Sequence, residues 1–259
     1  LNEAKQSLEK MILKKKFGQA SERVVIEEYL NGIEVSSFVL TDGDSYKTFP
    51  MAKDYKRIGV GDTGLNTGGM GAISPVPFVD QKLYQKIENQ IIQPTINGLK
   101  KDKIDYTGFL FIGLMIVKND PFVIEYNVRL GDPETEAILP RIESDLLEIF
   151  LQLKSSQLQT SNLKVSDLFS TTVMTVSKGY PEKYEKGKII TGLDCKNESF
   201  LFHSGTKIEG QNIVTSGGRV IAVTSMDKDL KIALEKSYNT ISKIDFDGKT
   251  FRNDIGFDL

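Results

Sequence analysis

FVIEYNVRLGDPETE, residues 122–136, joins the apolar alternation of a strand to charged residues that a plain strand does not choose. Successive strand side chains point to opposite faces. Glu125, Asn127 and Arg129 are therefore expected on one face, with Phe122, Ile124, Tyr126 and Val128 turned the other way into a core. Positions two apart lie roughly 6.6 Å apart along a strand, and a hard divalent cation takes oxygen ligands at about 2.1 Å. Glu125 and Asn127 could then meet one Mg²⁺ or a close pair, and Arg129 would face the anion that such metals carry. The alternative is an edge strand with a solvated polar face. Just beyond, Gly131, Asp132 and Pro133 read as a tight turn. Asp132 is expected to cap a new helix and Pro133 to fill its first position, which leaves a helix N-terminus open to an anion.

On the N-terminal side, residues 109–117 form a nearly continuous apolar run, a strand buried on both faces. It is expected to pair with 122–129 across a turn at Asn119, Asp120 and Pro121. Residues 80–101 read as helix with a break at Pro94, and further helices follow Pro133 and span about 144–154, separated by Pro140. Residues 59–71, GVGDTGLNTGGMG, hold six glycines in thirteen positions and read as a long irregular loop. With Lys56 and Arg57 just before it, the loop is either a substrate loop whose backbone amides approach a ligand or a mobile surface excursion. Residues 23–30 and 33–40 flank Asn31 and Gly32, a strong hairpin signal. A turn at 41–44 then leads into 46–52, which completes a three-stranded antiparallel meander. Leu1, Ala4, Leu8, Met11 and Ile12 recur at helical spacing, so 2–16 reads as an amphipathic helix in need of a partner.

Residues 155–168 are polar and weakly patterned, and a domain boundary is placed there. Short strands at 171–177, 189–191, 200–203 and 219–224 follow, then a helix over about 227–244 and a last short strand. This is a small β-rich domain with one packed helix.

With 259 residues and 39% apolar content the chain can build substantial cores, and a net charge of −2 gives no electrostatic case for nucleic acid or an anionic membrane as partner. No apolar run nears the ~18 residues that span a bilayer, and the first residues lack the pattern of a signal peptide. A cytoplasmic location is the default expectation. The single cysteine, Cys195, excludes an internal disulfide and a cysteine-based zinc site, and it is read as inert. The single histidine, His203, argues against histidine-based catalysis and reads as a hydrogen-bonded structural residue. No P-loop is present, and no GxGxxG sits between a strand and a helix as a Rossmann unit requires. Exposed strand glutamates such as Glu27, Glu28 and Glu34 are usually solvated, and Glu134 and Glu136 suit a first helical turn.

VVIEEYLNGIEVSSF, MAKDYKRIGVGDTGLNTGGMGAISP, YTGFLFIGLMI, VIEYNVRLGDPETE, FHSGT and TSGGRVIAVT, in that order, closely resemble the glycinamide ribonucleotide synthetase family of the ATP-grasp superfamily, from about residue 20 to 258. The resemblance implies an α+β fold. Residues 1–30 would be a remnant of the small ATP-grasp subdomain, 31–160 an ATP-grasp core of antiparallel sheet with flanking helices, and 161–259 the β-rich C-terminal domain. It implies that Glu27, Glu28, Tyr29 and Leu30 hold adenine through backbone groups and that Glu34 binds the ribose. Glu125 and Asn127 match magnesium (or manganese) ligands, Arg129 and Asp132 fall at the transferred phosphate and the acyl phosphate, and Lys56, Arg57, Asp62, Asn66 and Thr67 face the substrates. The activity implied is ATP-dependent joining of glycine to 5-phosphoribosylamine through glycyl phosphate, giving glycinamide ribonucleotide, ADP and phosphate. The alternatives are another ATP-grasp ligase or a non-catalytic nucleotide-binding module. Many ATP-grasp enzymes carry a further carboxylate on the preceding strand, and 111–116 offers none. The family also has an N-terminal domain and a phosphate flap ahead of the first of these motifs. The chain is expected to be a C-terminal portion, partnered by the missing part of its parent, that binds ATP weakly and turns over little alone.

Overall fold

A computed structural model of the chain describes residues 2–155, 157–194 and 198–259, so Cys195 lies outside the described residues. The chain divides into two compact units, Leu1–Asn31 and Gly32–Leu259. In the first, helix α1 (Asn2–Leu8) continues into a π turn at Glu9–Leu13, and a 3₁₀ turn follows at Gly18–Glu22. The helix is shorter than the sequence pattern suggests, and neither it nor the π turn buries a residue. Residues 23–31 have no regular structure, so the hairpin expected across Asn31 and Gly32 is absent. A Cβ on Gly32 would sit 2.2 Å from the Ile116 carbonyl oxygen. The glycine thus answers a close backbone approach and not a tight turn.

The second unit is built on an all-antiparallel sheet. Its strands are β1 (Ile33–Thr41), β2 (Tyr46–Asp54), β5 (Gly71–Ser74), β6 (Gly108–Val117), β7 (Asp120–Asn127), β8 (Phe169–Ser177), β9 (Phe200–His203) and β12 (Arg219–Asp227). They lie in the order β7-β6-β1-β2-β5-β8-β12-β9, with β13 (Lys249–Thr250) added to β8. Two small hairpins stand apart, β3 (Arg57–Gly59) with β4 (Thr63–Asn66), and β10 (Thr206–Glu209) with β11 (Asn212–Thr215). The stretch 59–71 is therefore not the structureless loop its glycines suggest, because its first half closes a hairpin. In the C-terminal region, residues 189–191 make only isolated bridges, and the β10–β11 hairpin went unseen in the sequence.

β1 and β6 are apolar on both faces because both are covered. One face packs Val35, Val39, Leu110, Ile112 and Leu114 under α2 (Gln81–Ile87) and α3 (Gln93–Lys101). These helices are joined through a π turn at Glu88–Ile92, just before Pro94, so the missing proline N–H is absorbed in a widened turn and the helix is not broken. The other face packs Phe38, Phe49 and Phe111 with Ile138 of α4 (Glu134–Ile138) and Ile149 of α5 (Leu146–Lys154). A third core joins Met70 and Ile73 to Val173, Val223 and Ile241 under α6 (Leu230–Ile241), so apolar packing crosses the β5–β8 pairing. Among the described residues no helix is long and apolar enough to cross a membrane.

β7 departs from strict alternation. Val117 pairs with Asp120, and the turn is Lys118 and Asn119, both with positive φ, as a two-residue hairpin turn requires. Between Gly113 and Leu114 the register slips and Ile124 becomes the bulged residue. Phe122 is thereby carried to the face of Glu125 and Asn127. β7 is also an edge strand. Phe122, Tyr126 and Val128 are 43%, 50% and 70% exposed, which overturns the expectation that they enter a core.

Candidate active site

One face of β7, β6, β1 and β2 gathers the polar residues. Glu125 stands opposite Gly113 and Asn127 opposite Phe111. Gly113 in turn stands opposite Ser36, and Ser36 opposite Ala52. The row across the sheet reads Glu125, Gly113, Ser36, Ala52, and it is open at Gly113, where a Cβ would come 3.0 Å from Glu125 Cγ. Two residues along β1 from Ser36, and so on the same face, is Glu34. Its carboxylate accepts from Lys56 Nζ, just past the end of β2.

Behind this row lies Glu134, only 3% exposed. Ser36 Oγ donates to its Oε1 at 3.0 Å and so ties the first turn of α4 to the sheet. Burial raises the Glu134 pKa, against the opposing effects of its own backbone N–H, the Ser36 hydroxyl and Lys56. Asp54, at the end of β2, is pushed up to about 8 by burial and then by Glu134, with Lys56 pulling the other way. Lys56 itself loses by burial, but Asp54, Glu34 and Glu125 outweigh this and hold its ammonium above the ordinary lysine range. Glu136 is raised to about 7 by burial and by Asp132, partly offset by Arg219. The result is a cation set among carboxyl groups, of which burial raises Asp54, Glu134 and Glu136 above the ordinary carboxylate range.

Asp132 does not cap α4. Pro133 is the N-cap residue and makes no side-chain cap bond. The Asp132 carboxylate instead pairs with Arg219 Nη2 at 3.0 Å, so its direction is set from β12. α4 spans five residues with Glu134 and Glu136 in its first turn, and so offers no bare N-terminus to an anion. Arg129 lies beyond the end of β7, exposed, with Nη1 donating to Leu130 O at 2.9 Å. Thr67 is turned to the protein, its hydroxyl donating to Lys56 O at 2.8 Å and accepting from Gly69 N at 2.9 Å. Arg57 and Asn66 are exposed and face each other across the β3–β4 hairpin, and Asp62 accepts from Arg252 at 2.5 Å. In the first unit Glu27, Glu28 and Tyr29 are exposed and Leu30 is half-buried. His203 Nδ1 is 2.9 Å from Thr206 Oγ1, in keeping with a structural histidine.

Among the described residues no group of three or more His, Cys, Asp or Glu is gathered as a metal cage. The donor set nonetheless fits a hard cation that keeps water or phosphate oxygens among its ligands. Glu125 and Asn127 supply a carboxylate and an amide oxygen on one face, and Gly113, having no Cβ, leaves room for the Glu125 side chain to lie across it. A cavity of about 580 Å³ lies elsewhere, lined by Lys178, Tyr184, Lys188 and Asp247, and the Lys188 ammonium there is already paired with Glu185 and Asp247.

Comparison with known families matches residues 1–135 to the phosphoribosylglycinamide synthetase ATP-grasp (A) domain and residues 170–258 to the C domain of the same synthetase. The chain belongs to the phosphoribosylglycinamide synthetase family. It is 44% identical over 258 residues to the phosphoribosylamine–glycine ligase of Chlorobaculum tepidum, covering 98% of this chain and 61% of that protein. It is 46% identical to the bifunctional purine biosynthetic protein PUR2,5 of Pichia angusta, covering 98% of this chain and 32% of that one. The crystal structure of phosphoribosylamine–glycine ligase from Thermotoga maritima superposes with a TM-score of 0.84 at 35% identity, over 95% of this chain and 61% of that one. The urea carboxylase of Kluyveromyces lactis, at 12% identity and a TM-score of 0.63, covering 96% of this chain and 20% of that one, shares the fold alone. The chain thus spans about 61% of the length of the single-activity ligases it matches. Its ATP-grasp (A) domain implies ATP binding.

Within this synthetase fold, Ser36, Asp54 and Arg219 escape the sequence reading, and Glu134 is read there as a first-turn residue and the end of the GDPE signature, with no tie to Ser36. Asp54 carries a usable signal. It follows Ala52 by two positions in MAKDYKR and so shares the face of Ser36. Arg219, at the start of an apolar strand, gives no such sign.

Proposed function

We propose that this chain carries the nucleotide- and acyl-phosphate-handling part of a phosphoribosylamine–glycine ligase. The glycine carboxylate attacks the γ-phosphorus of ATP, which releases ADP and forms glycyl phosphate. The amine of 5-phosphoribosylamine then attacks the acyl carbon and expels phosphate to give glycinamide ribonucleotide. Such chemistry depends on positioning and charge neutralisation and needs neither a histidine nor a cysteine. The observation that carries this reading is the open face on which Glu125 and Asn127 stand beside Gly113, next to the paired Glu34 and Lys56. Glu125 and Asn127 would hold Mg²⁺ or Mn²⁺, which when bound neutralises phosphate charge. Glu34 would meet the ribose, and Glu27, Glu28, Tyr29 and Leu30 the adenine. Arg129 would meet the acyl phosphate, with Asp132 setting the turn behind it. Lys56, Arg57, Asp62, Asn66 and Thr67 belong to the segment that faces the substrates. The same reading keeps the division at residues 30 and 160 and a cytoplasmic setting, with the rest of the parent ligase as partner.

Isothermal titration with ATP, with and without Mg²⁺, on the wild type and on Glu125→Ala tests the reading. Magnesium-dependent binding is expected to weaken at least about tenfold in the variant, the loss of one charged ligand. Equal magnesium dependence in the two proteins would place the metal elsewhere.

A further inference from the structure

Two arginines from the C-terminal half reach back to the glycine-rich stretch and hold it at two points. Arg252 is 1% exposed. Its Nε and Nη2 donate to the two carboxylate oxygens of Asp254 at 2.8 and 2.7 Å, and its Nη1 donates to Asp62 Oδ1 at 2.5 Å and Arg57 O at 3.2 Å. Asp254 Oδ2 also accepts from the Gly61 backbone N–H at 2.7 Å. The guanidinium lies 5.3 and 5.7 Å from the ring centres of Tyr55 and Phe257. At the far end of the stretch, Arg219 Nη1 donates at 2.6 Å both to Gly68 O and to Asp132 O, and the Tyr180 hydroxyl accepts from Gly68 N–H at 2.9 Å. The fit is tight. A Cβ on Gly69, whose φ is +117°, would lie 2.3 Å from Pro133 Cδ.

A buried guanidinium costs desolvation, and an apolar side chain would fill the same volume more cheaply if packing were the only demand. Arg252 instead directs Nη1 at the Asp62 carboxylate and the Arg57 carbonyl while Asp254 holds its other nitrogens, and Arg219 bridges the Gly68 carbonyl to Asp132. We infer that Arg252 and Arg219 are positioning residues for the substrate hairpin. They fix its tip and its return in one arrangement, so that Arg57 and Asn66 are presented to a phosphorylated sugar amine without a search through loop conformations. Asp62 serves the site from the protein side, through Arg252. The substrate part of this inference rests on the ligase reading above.

Hydrogen–deuterium exchange on the chain tests the clamp without any ligand. Amides of 57–68 are expected to exchange at least tenfold faster in Asp62→Asn, Arg252→Gln and Arg219→Gln, while those of β8 and β12 stay within twofold of wild type. Arg252→Lys, which keeps the charge but not the fork, should recover part of the protection. Unchanged exchange in the partly exposed Asp62→Asn would overturn the clamp, even if the buried Arg252 variants failed to fold. Titration with glycinamide ribonucleotide and, separately, with ATP tests the substrate part. The nucleotide product should bind at least tenfold more weakly to Asp62→Asn and Arg219→Gln, with ATP affinity within twofold. Equal loss for both ligands would overturn the hairpin's substrate role. A wild type that binds ATP but not glycinamide ribonucleotide would overturn the ligase reading and the substrate role with it, while the exchange data still decide the clamp.

Discussion

Asp54 and Glu134 bring two carboxyl groups beside one lysine, and burial sets when they ionise. In the unfolded chain Asp54 titrates near its ordinary 3.8, and in the folded chain near 8. Between those values the folded state binds more protons, so the contribution to stability is complete at the acid end of the window and is lost as pH rises through it. Over pH 6 to 8 the loss is roughly 1–3 kcal/mol, and Glu134 and Glu136 act with the same sign. Urea unfolding is expected to show the wild type weakening across that range and Asp54→Asn weakening less, so that the variant is the more stable of the two above pH 7. A wild type that gains stability from pH 6 to 8 would contradict the assignment. Little of this was legible in the sequence. Glu125 and Asn127 could be read because strand alternation is local, whereas Glu134 depends on a serine 98 positions away. Asp132 was misread for the same reason, since a local cap was the simplest use for it and Arg219 is 87 positions distant.

At the scale of elements, β7 shows where period-two reading fails. The sequence pattern is correct in type and nearly so in extent, but one bulged residue moves Phe122 across the sheet, and the edge position leaves its apolar residues facing solvent. Phe122→Lys and Val128→Lys are therefore expected to cost under about 1 kcal/mol each by chemical denaturation, against the ~2–4 kcal/mol that core positions would lose. A loss in the upper range would restore the buried reading. The glycine-rich stretch failed differently. Six glycines hide the β3–β4 pairing, because what fixes that hairpin is Arg252 and Asp254, nearly two hundred residues on. Helices fared better. Asp80 accepts from Leu83 N at 2.8 Å and Asp229 from Lys231 N at 2.8 Å, caps within reach of any local reading.

For the molecule as a whole, the sequence boundary at 155–168 is a change in composition, while the strands on either side of it belong to one sheet through β5 and β8. The core that joins Met70 and Ile73 to Val173 and Val223 makes cooperative unfolding of Gly32–Leu259 the expectation. By contrast, residues 23–31 are irregular, with Val25, Ile26 and Tyr29 more than 80% exposed. Limited proteolysis should cut there first. The fragment from about residue 32 onward should keep its melting temperature within ~3 °C, about the shift that 1 kcal/mol produces at this size. First cleavage near 155–168, or a large drop in melting temperature after the cut at 23–31, would contradict this account.

The clamp also orders events in time. Asp62 and Arg252 are 190 positions apart, so a ribosome that has just released the hairpin must add most of the chain before the arginine that anchors it exists. Tyr55 waits still longer for Asp258, 203 positions ahead. Until then the face proposed for the nucleotide can assemble on β1, β2, β6 and β7, while the hairpin beside it is held only at its base and by its own pairing. A nascent chain therefore completes the surface proposed to face the nucleotide well before it can clamp the segment proposed to meet the sugar.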